Sequence, residues 1–198
     1  MPRQKIEDAR DRLLSAGLSL FAHRGTERVN SNAIARRAGL GIGTFYAHFP
    51  DKHALLREIE LRTLGAIQSA RIQAMARAGN EPRAQVRESI TAVAQFARLH
   101  PEAYRVTFGR ERAGARAHGA VVSDSSRPVA SAMRRLQGAG QVDASLDPEL
   151  AARAYLSMEV GTLLWWLDQP ARVDVESLVE TLTRMHPAIS QRSSYRLE

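Results

Sequence analysis

The stretch Ser31-Asn-Ala-Ile-Ala-Arg-Arg-Ala-Gly-Leu-Gly-Ile-Gly-Thr-Phe-Tyr-Ala-His-Phe49 decides the fold. Its spacing predicts two short helices, over 31–37 and 42–48, joined by a three-residue turn at Ala38-Gly39-Leu40: the proportions of a helix-turn-helix. Ile34, Ala35 and Ala38 supply the small apolar face where such helices cross. Gly39 allows a left-handed turn conformation, and Leu40 plugs the core. Phe45 and Phe49, four apart, anchor the second helix. Its other face presents Ile42, Thr44 and Tyr46, with the compact Gly43 between them permitting close approach to a groove.

Working outward, an amphipathic helix is expected from about residue 4 to 23, with Ile6, Ala9, Leu13, Ala16 and Leu20 along one stripe and Gly25 as its stop. Pro50 closes the second short helix, and Asp51 caps a long one running to Gly79-Asn80. Pro82, Pro101 and Pro148 read as first-turn prolines, opening helices at 82–99, 101–109 and 147–168. Two more helices fall at 124–138 and 174–186. Gly114 to Ser126 and Gly138 to Ser145, rich in Gly, Ser and Ala, read as loops or frayed helix ends. The fold class is therefore all-α: a three-helix head over residues 1–50 carrying the helix-turn-helix, a helical body over 51–190, and a mobile tail over 191–198.

The chain of 198 residues carries a formal net charge of +7. Residues 1–57 hold ten Lys and Arg against five acids, a net charge of +5, while the remaining 141 residues are nearly neutral. That asymmetry points to a polyanion-binding head. The absence of cysteine excludes disulfide scaffolds, thiol nucleophiles and cysteine-ligated metals, and fits a reducing, cytoplasmic setting. The most apolar window, Val160 to Leu167, is too short to span a membrane, and no export signal is visible at the start, so a soluble protein with no membrane partner is expected.

The run Ala33 to Leu56, with Ile-Ala…Ala-Gly, Gly-x-x-Tyr-x-His-Phe and Lys-x-x-Leu, resembles the DNA-binding signature of the TetR/AcrR family of transcriptional regulators. The resemblance implies that Ser31 and Asn32 open the helix facing DNA and that Ile42, Gly43 and Thr44 approach base edges. It further implies that Tyr46, His48 and Lys52 bind phosphates. Backbone N–H groups at helix starts and a first-turn lysine suit anions, which supports that division. Gly41 departs from the family pattern, which usually has Ser or Thr there. Glycine caps a helix acceptably and offers no hydroxyl to a phosphate.

In the body, Phe96, Tyr104, Phe108 and Trp165 are the aromatic residues proposed to line a small-molecule cavity, with Arg105, Arg110 and Arg112 available to an acidic head group. The stretch Phe96 to Arg116 is similar to the branch of the family regulating fatty-acid synthesis and desaturation, which implies an acyl-type ligand. Residues 147–168 and 174–186 look apolar on more than one face. This suggests burial by a twin subunit, and the resemblance places a four-helix homodimer interface in the same helices, within 147–186.

The resulting expectation is a dimeric repressor on a near-palindromic double-stranded DNA operator, released when a small apolar or amphipathic ligand enters the body and shifts the helix at 51–79. The alternatives are a DNA-binding activator, or a regulator controlled by a protein partner. An enzyme is not expected. Glu102, His118, Glu159 and His186 are scattered over separate helices with no nucleophile–base spacing and no metal motif, so no catalytic residue, metal site or cofactor is assigned.

Overall fold

The computed structural model describes residues 2–109, 115–140, 142–187 and 189, with the side chains of 2–7 and 115–125 excepted. Nine helices lie among the described residues: α1 (Pro2–Arg24), α2 (Ser31–Arg37), α3 (Ile42–His48), α4 (Lys52–Arg77), α5 (Pro82–Leu99), α6 (Pro101–Phe108), α7 (Ala115–Gly138), α8 (Pro148–Asp168) and α9 (Val175–Arg184). No helix among the described residues is long and apolar enough to cross a membrane. The all-α expectation holds, and most boundaries fall within two residues of those read from the sequence.

The stops and starts have local causes. Gly25, Gly39 and Gly79 each adopt positive φ, near 70°, where a side chain would be strained. Asp51 Oδ1 accepts from the Ala54 amide at 2.7 Å, Asp147 from Leu150 at 2.7 Å and Asp174 from Ser177 at 2.9 Å, so three aspartates satisfy first-turn donors. Glu81 does the same ahead of Pro82, accepting from Arg83 at 2.9 Å and from Ala84.

One expectation is corrected. The stretch read as a loop or frayed end over Gly114 to Ser126 is, from Ala115 onward, the first half of α7, which begins there rather than at residue 124. A single glycine costs a helix only about 1 kcal/mol relative to alanine, and no proline interrupts the chain until Pro128. Local Gly and Ser content was thus too weak a signal to break it. The tail 191–198, Arg110 and Arg112 lie outside the described residues, and the side chain of His118 is likewise not described.

The chain divides into two compact units. The first comprises residues 1–66 and 100–114, the second residues 67–99 and 115–198. This differs from a boundary at residue 50, because the start of α4 and all of α6 pack with the head. The first unit's core gathers Leu13, Leu14, Leu20 and Phe21 of α1, Ile34 and Ala35 of α2, Phe45 of α3, Leu55 and Ile59 of α4, and Val106 of α6. α1 passes so close to α4 that a Cβ on Gly17 would overlap the Leu55 side chain.

In the second unit α7 packs along α8, and α5 packs on α8 and α9. Ile90, Val93, Ala94 and Ala97 of α5 are buried together with Met133, Leu156, Leu163, Trp166, Leu178 and Leu182. Two buried polar groups of α8 reach backbone carbonyls. Trp166 Nε1 donates to Val173 at 2.9 Å and the Tyr155 hydroxyl to Leu182 at 3.3 Å, which ties the α8–α9 connection and α9 to the bundle.

Candidate nucleic-acid interface

α3 has only seven residues, fewer than a helix needs to persist alone, so tertiary contacts must hold it. Phe45 is fully buried and Phe49 nearly so; their rings lie 6.0 Å apart, and Phe49 terminates the helix with its amide on the Phe45 carbonyl at 2.9 Å. Both phenylalanines are core. The opposite side stays open: Tyr46 is 57% exposed, Ile42 and Gly43 are exposed, and Thr44 and His48 are half-buried. The structure brings these five together on one helix. A Cβ added at Gly41 or Gly43 would meet no atom within 4 Å, so the start of α3 is a bare backbone surface.

The turn between the helices is fixed from two sides. Gly39, at φ +67°, donates its amide to Arg36, and the Leu40 amide returns to the Ala35 carbonyl at 2.9 Å. From α1, Arg12 Nη2 donates to the Ala38 carbonyl at 2.7 Å and lies 3.4 Å from that of Gly39, which satisfies orphan groups at the end of α2.

At the start of α2 the cap is Asn30, whose Oδ1 accepts from the Ala33 amide at 2.9 Å. Ser31 is the first helical residue, half-buried, and Asn32 is exposed beside it. Asn30 escaped the sequence reading, although an asparagine three residues before Ala33 is a preferred cap. Lys52, expected on a phosphate, directs its Nζ onto the Thr26 carbonyl at 2.9 Å, with the Glu27 carbonyl at 3.4 Å. An ammonium has three donors, so one direction stays available.

Charge is sorted the same way. Arg28, Arg36 and Arg37 are exposed, whereas Arg10 and Arg12 spend their donors inside the unit. Arg10 forks onto Glu58 of α4. Arg62 also reaches Glu58, at 2.9 Å, and bonds Asp11 of α1 at 2.8 Å. The Arg10 hydrogen bond above all holds the Glu58 carboxyl below the usual carboxylate range.

The residues proposed for the ligand fall in both units. In the first, Tyr104 and Phe108 of α6 are buried with ring centroids 4.7 Å apart, while Arg105 is exposed. In the second, Phe96 is half-buried, and Trp165 is 38% exposed with the Arg172 guanidinium 5.8 Å over its ring.

The second unit also holds a polar cluster that sequence reading did not assemble. Arg71 of α4 donates to both carboxylate oxygens of Glu159, at 2.8 and 2.9 Å, and to Ser89 Oγ at 2.9 Å, with Glu159 only 1% exposed. The His186 ring meets Tyr155 edge-on at 4.4 Å, and burial, aided by the Arg71 charge, pushes the imidazole down to about 4. Among the described residues no group of three or more metal-ligating side chains is assembled.

Residues 13–59 match the family model described as bacterial regulatory proteins, tetR family. Over 62 residues the chain is 36% identical to an HTH-type transcriptional regulator of Staphylococcus aureus strain USA300, an alignment covering 31% of this chain and 34% of that protein. The match thus spans about a third of the length of the curated relatives.

Two solved structures share the fold over almost the whole chain. One is NalD of Pseudomonas aeruginosa, the secondary repressor of the MexAB-OprM multidrug efflux pump, with a TM-score of 0.75, 20% identity, and coverage of 96% of this chain and 99% of that one. The other is the regulator FadR of Bacillus subtilis in complex with stearoyl-CoA, with a TM-score of 0.74, 15% identity, and coverage of 90% and 97%.

Proposed function

We propose that this chain, whose residues 13–59 match the tetR family model, is a cytoplasmic, dimeric transcriptional repressor of that family that binds double-stranded DNA through α2 and α3 and leaves it when a small amphipathic ligand binds. The observation that carries the reading is the two-sidedness of α3. One side is locked into the core by Phe45, and the other offers Ile42, Gly43, Thr44 and Tyr46 to a partner with bare backbone at its start. A groove edge fits that surface: the Thr44 hydroxyl and the branched alkyl side chain of Ile42 read base edges and thymine methyls, while Tyr46, His48, Lys52 and the start of α2 at Ser31 and Asn32 meet phosphates.

Dimerisation through 147–186 is supported by α8. Leu150 (68% exposed), Ala154, Gly161 and Trp165 are exposed at helical spacing on the side of α8 turned away from its own bundle. An acyl-type ligand is supported by the similarity of the Phe96 to Arg116 stretch and by the stearoyl-CoA complex of a protein with this fold. Phe96, Tyr104, Arg105, Phe108 and Trp165 are the residues to alter once a ligand is in hand. A non-catalytic role accords with this assignment.

The test is binding of the purified protein to DNA from around its own gene, at several salt concentrations, with Tyr46→Ala as control. Sequence-selective, salt-sensitive binding lost in Tyr46→Ala and relieved by long-chain acyl-CoA is expected. Failure to bind any DNA at low salt would overturn the DNA-binding reading; selective binding indifferent to acyl-CoA would overturn only the ligand.

A further inference from the structure

Arg10 sits in the basic head, yet its guanidinium is consumed by the protein itself. Nε donates to Glu58 Oε1 at 3.0 Å and Nη2 to Glu58 Oε2. Nη1 lies 3.3 Å from the carbonyl of His48, the last residue of α3, and the guanidinium lies 4.6 Å over the ring of Phe49, the residue that ends that helix. One planar cation therefore joins α1, α4 and the C-terminal end of α3. The geometry suits arginine alone, because only a rigid fork can hold a carboxylate bidentately, lie over a ring and still donate to a carbonyl.

The other end of α3 has no such hold. Its cap is Gly41, which makes no side-chain hydrogen bond, and a Cβ at Gly41 or Gly43 would meet no neighbouring element. Roll and tilt of α3 are thus set by Phe45 and Phe49 in the core and by Arg10 at its end. Glu58 is kept in place for this purpose by Arg62, which Asp11 holds in turn.

We infer that Arg10, seated on Glu58, is a positioning residue that fixes the pose of α3 and thereby the discrimination between DNA sequences, without itself touching DNA. The inference rests on the DNA-binding reading for its consequence, and on the first unit's geometry for its cause. A displacement of about 1 Å at the end of a short helix is enough to misalign hydrogen bonds to base edges, while phosphate contacts tolerate it.

The experiment uses the full chain with Arg10→Ala, Arg10→Lys and Glu58→Gln, each checked for folding by circular dichroism. Amide hydrogen exchange of α3 is compared with that of α2, and binding is measured to the selected operator and to unrelated DNA over a range of salt. We expect all three variants to raise α3 exchange about threefold or more while α2 stays protected, and to lower the ratio of operator to unrelated affinity by about tenfold, with an unchanged salt slope. The Arg10→Lys variant should resemble Arg10→Ala, and Arg10→Ala combined with Glu58→Gln should be no worse than either alone.

A salt slope reduced by about one in both Arg10→Ala and the double variant, with affinity falling equally on every sequence, would make Arg10 a phosphate contact and overturn the inference. So would unchanged α3 exchange in Arg10→Lys, the variant that keeps charge and most of the volume if Arg10→Ala does not fold. If the unaltered protein selects no DNA, the functional reading fails, while the exchange data still decide what Arg10 does to α3.

Discussion

Two arginine–glutamate pairs of the same chemistry do different things in the two units. In the head, Arg10 and Glu58 remain in touch with water, their side chains 36% and 21% accessible. In the body, Arg71 meets a Glu159 that water scarcely reaches. An ion pair near the surface gains about 0–1 kcal/mol, because solvent screens the attraction and both side chains give up rotamers. A buried one gains little over an apolar replacement, yet losing one partner strands a charge, at a cost of about 3–5 kcal/mol. The head's pair is therefore a device for geometry, and the body's a condition for folding.

The largest effect expected follows directly. Arg71→Ala, which strands the Glu159 carboxylate, should lower stability by about 3–5 kcal/mol in urea unfolding, against about 1 kcal/mol or less for Arg10→Ala. Equal losses would erase the distinction. Both tryptophans, Trp165 and Trp166, lie on α8, so their fluorescence follows the body, and circular dichroism with hydrogen exchange of α2 and α3 follows the head.

Acid should separate the units next. His186 is neutral in the folded body and protonates only near 4, whereas an unfolded histidine takes up its proton near 6.5. Between those values the unfolded state binds more protons, so stability should fall as pH drops from about 6.5 to about 4, by on the order of 2–3 kcal/mol. His186→Phe should flatten that slope in tryptophan-detected unfolding. A slope of unchanged steepness would place the sensitivity elsewhere.

Glu58 works in a lower window. Its folded value is depressed, so the contribution of its pair is complete above the ordinary glutamate range and disappears as pH falls through the folded value. Head stability should therefore hold between pH 7 and 5, where that of the body already declines. Hydrogen exchange of α2 and α3 across that range is the check. The smallest effect is at Gly41, the start of α3 with no side-chain cap, where Gly41→Ser should stabilise the head by a few tenths of a kcal/mol and show a new side-chain cap by protection of the Gly43 amide. Destabilisation there would mean that the open space around Gly41 is needed by the fold.

Much of the head was readable because each decisive residue answers a local rule. Gly39 needs a positive φ, Phe45 and Phe49 recur at one helical turn, and Asp51 stands where a cap belongs. Each is detectable within a few residues of itself. Asp147 and Asp174 obey the same rule in the body, although the sequence reading singled out neither as a cap. What stayed hidden is the fate of charges. Arg10, Arg12 and Lys52 count equally towards a basic head, and nothing near them in sequence tells that Arg12 would close the end of α2 or that Lys52 would turn towards Thr26. Arg71 and Glu159 are 88 residues apart on different helices, and no periodicity connects them. Periodicity reveals which face of a helix is buried, and says nothing about which polar group on another element completes it. α7 shows the opposite limit: a run of weak breakers looked like a loop because composition was weighed without the neighbouring turns that carry the helix through it.

The bare start of α3 has a consequence for descent. Because a Cβ at position 41 or 43 would meet no neighbouring element and the backbone at neither glycine requires glycine, steric fit places no demand there, and position 41 answers only to the preference for a capping residue. Under the proposed function, those two positions can change their letter without a clash inside the protein, so a lineage of such regulators can be re-addressed to new operators one substitution at a time.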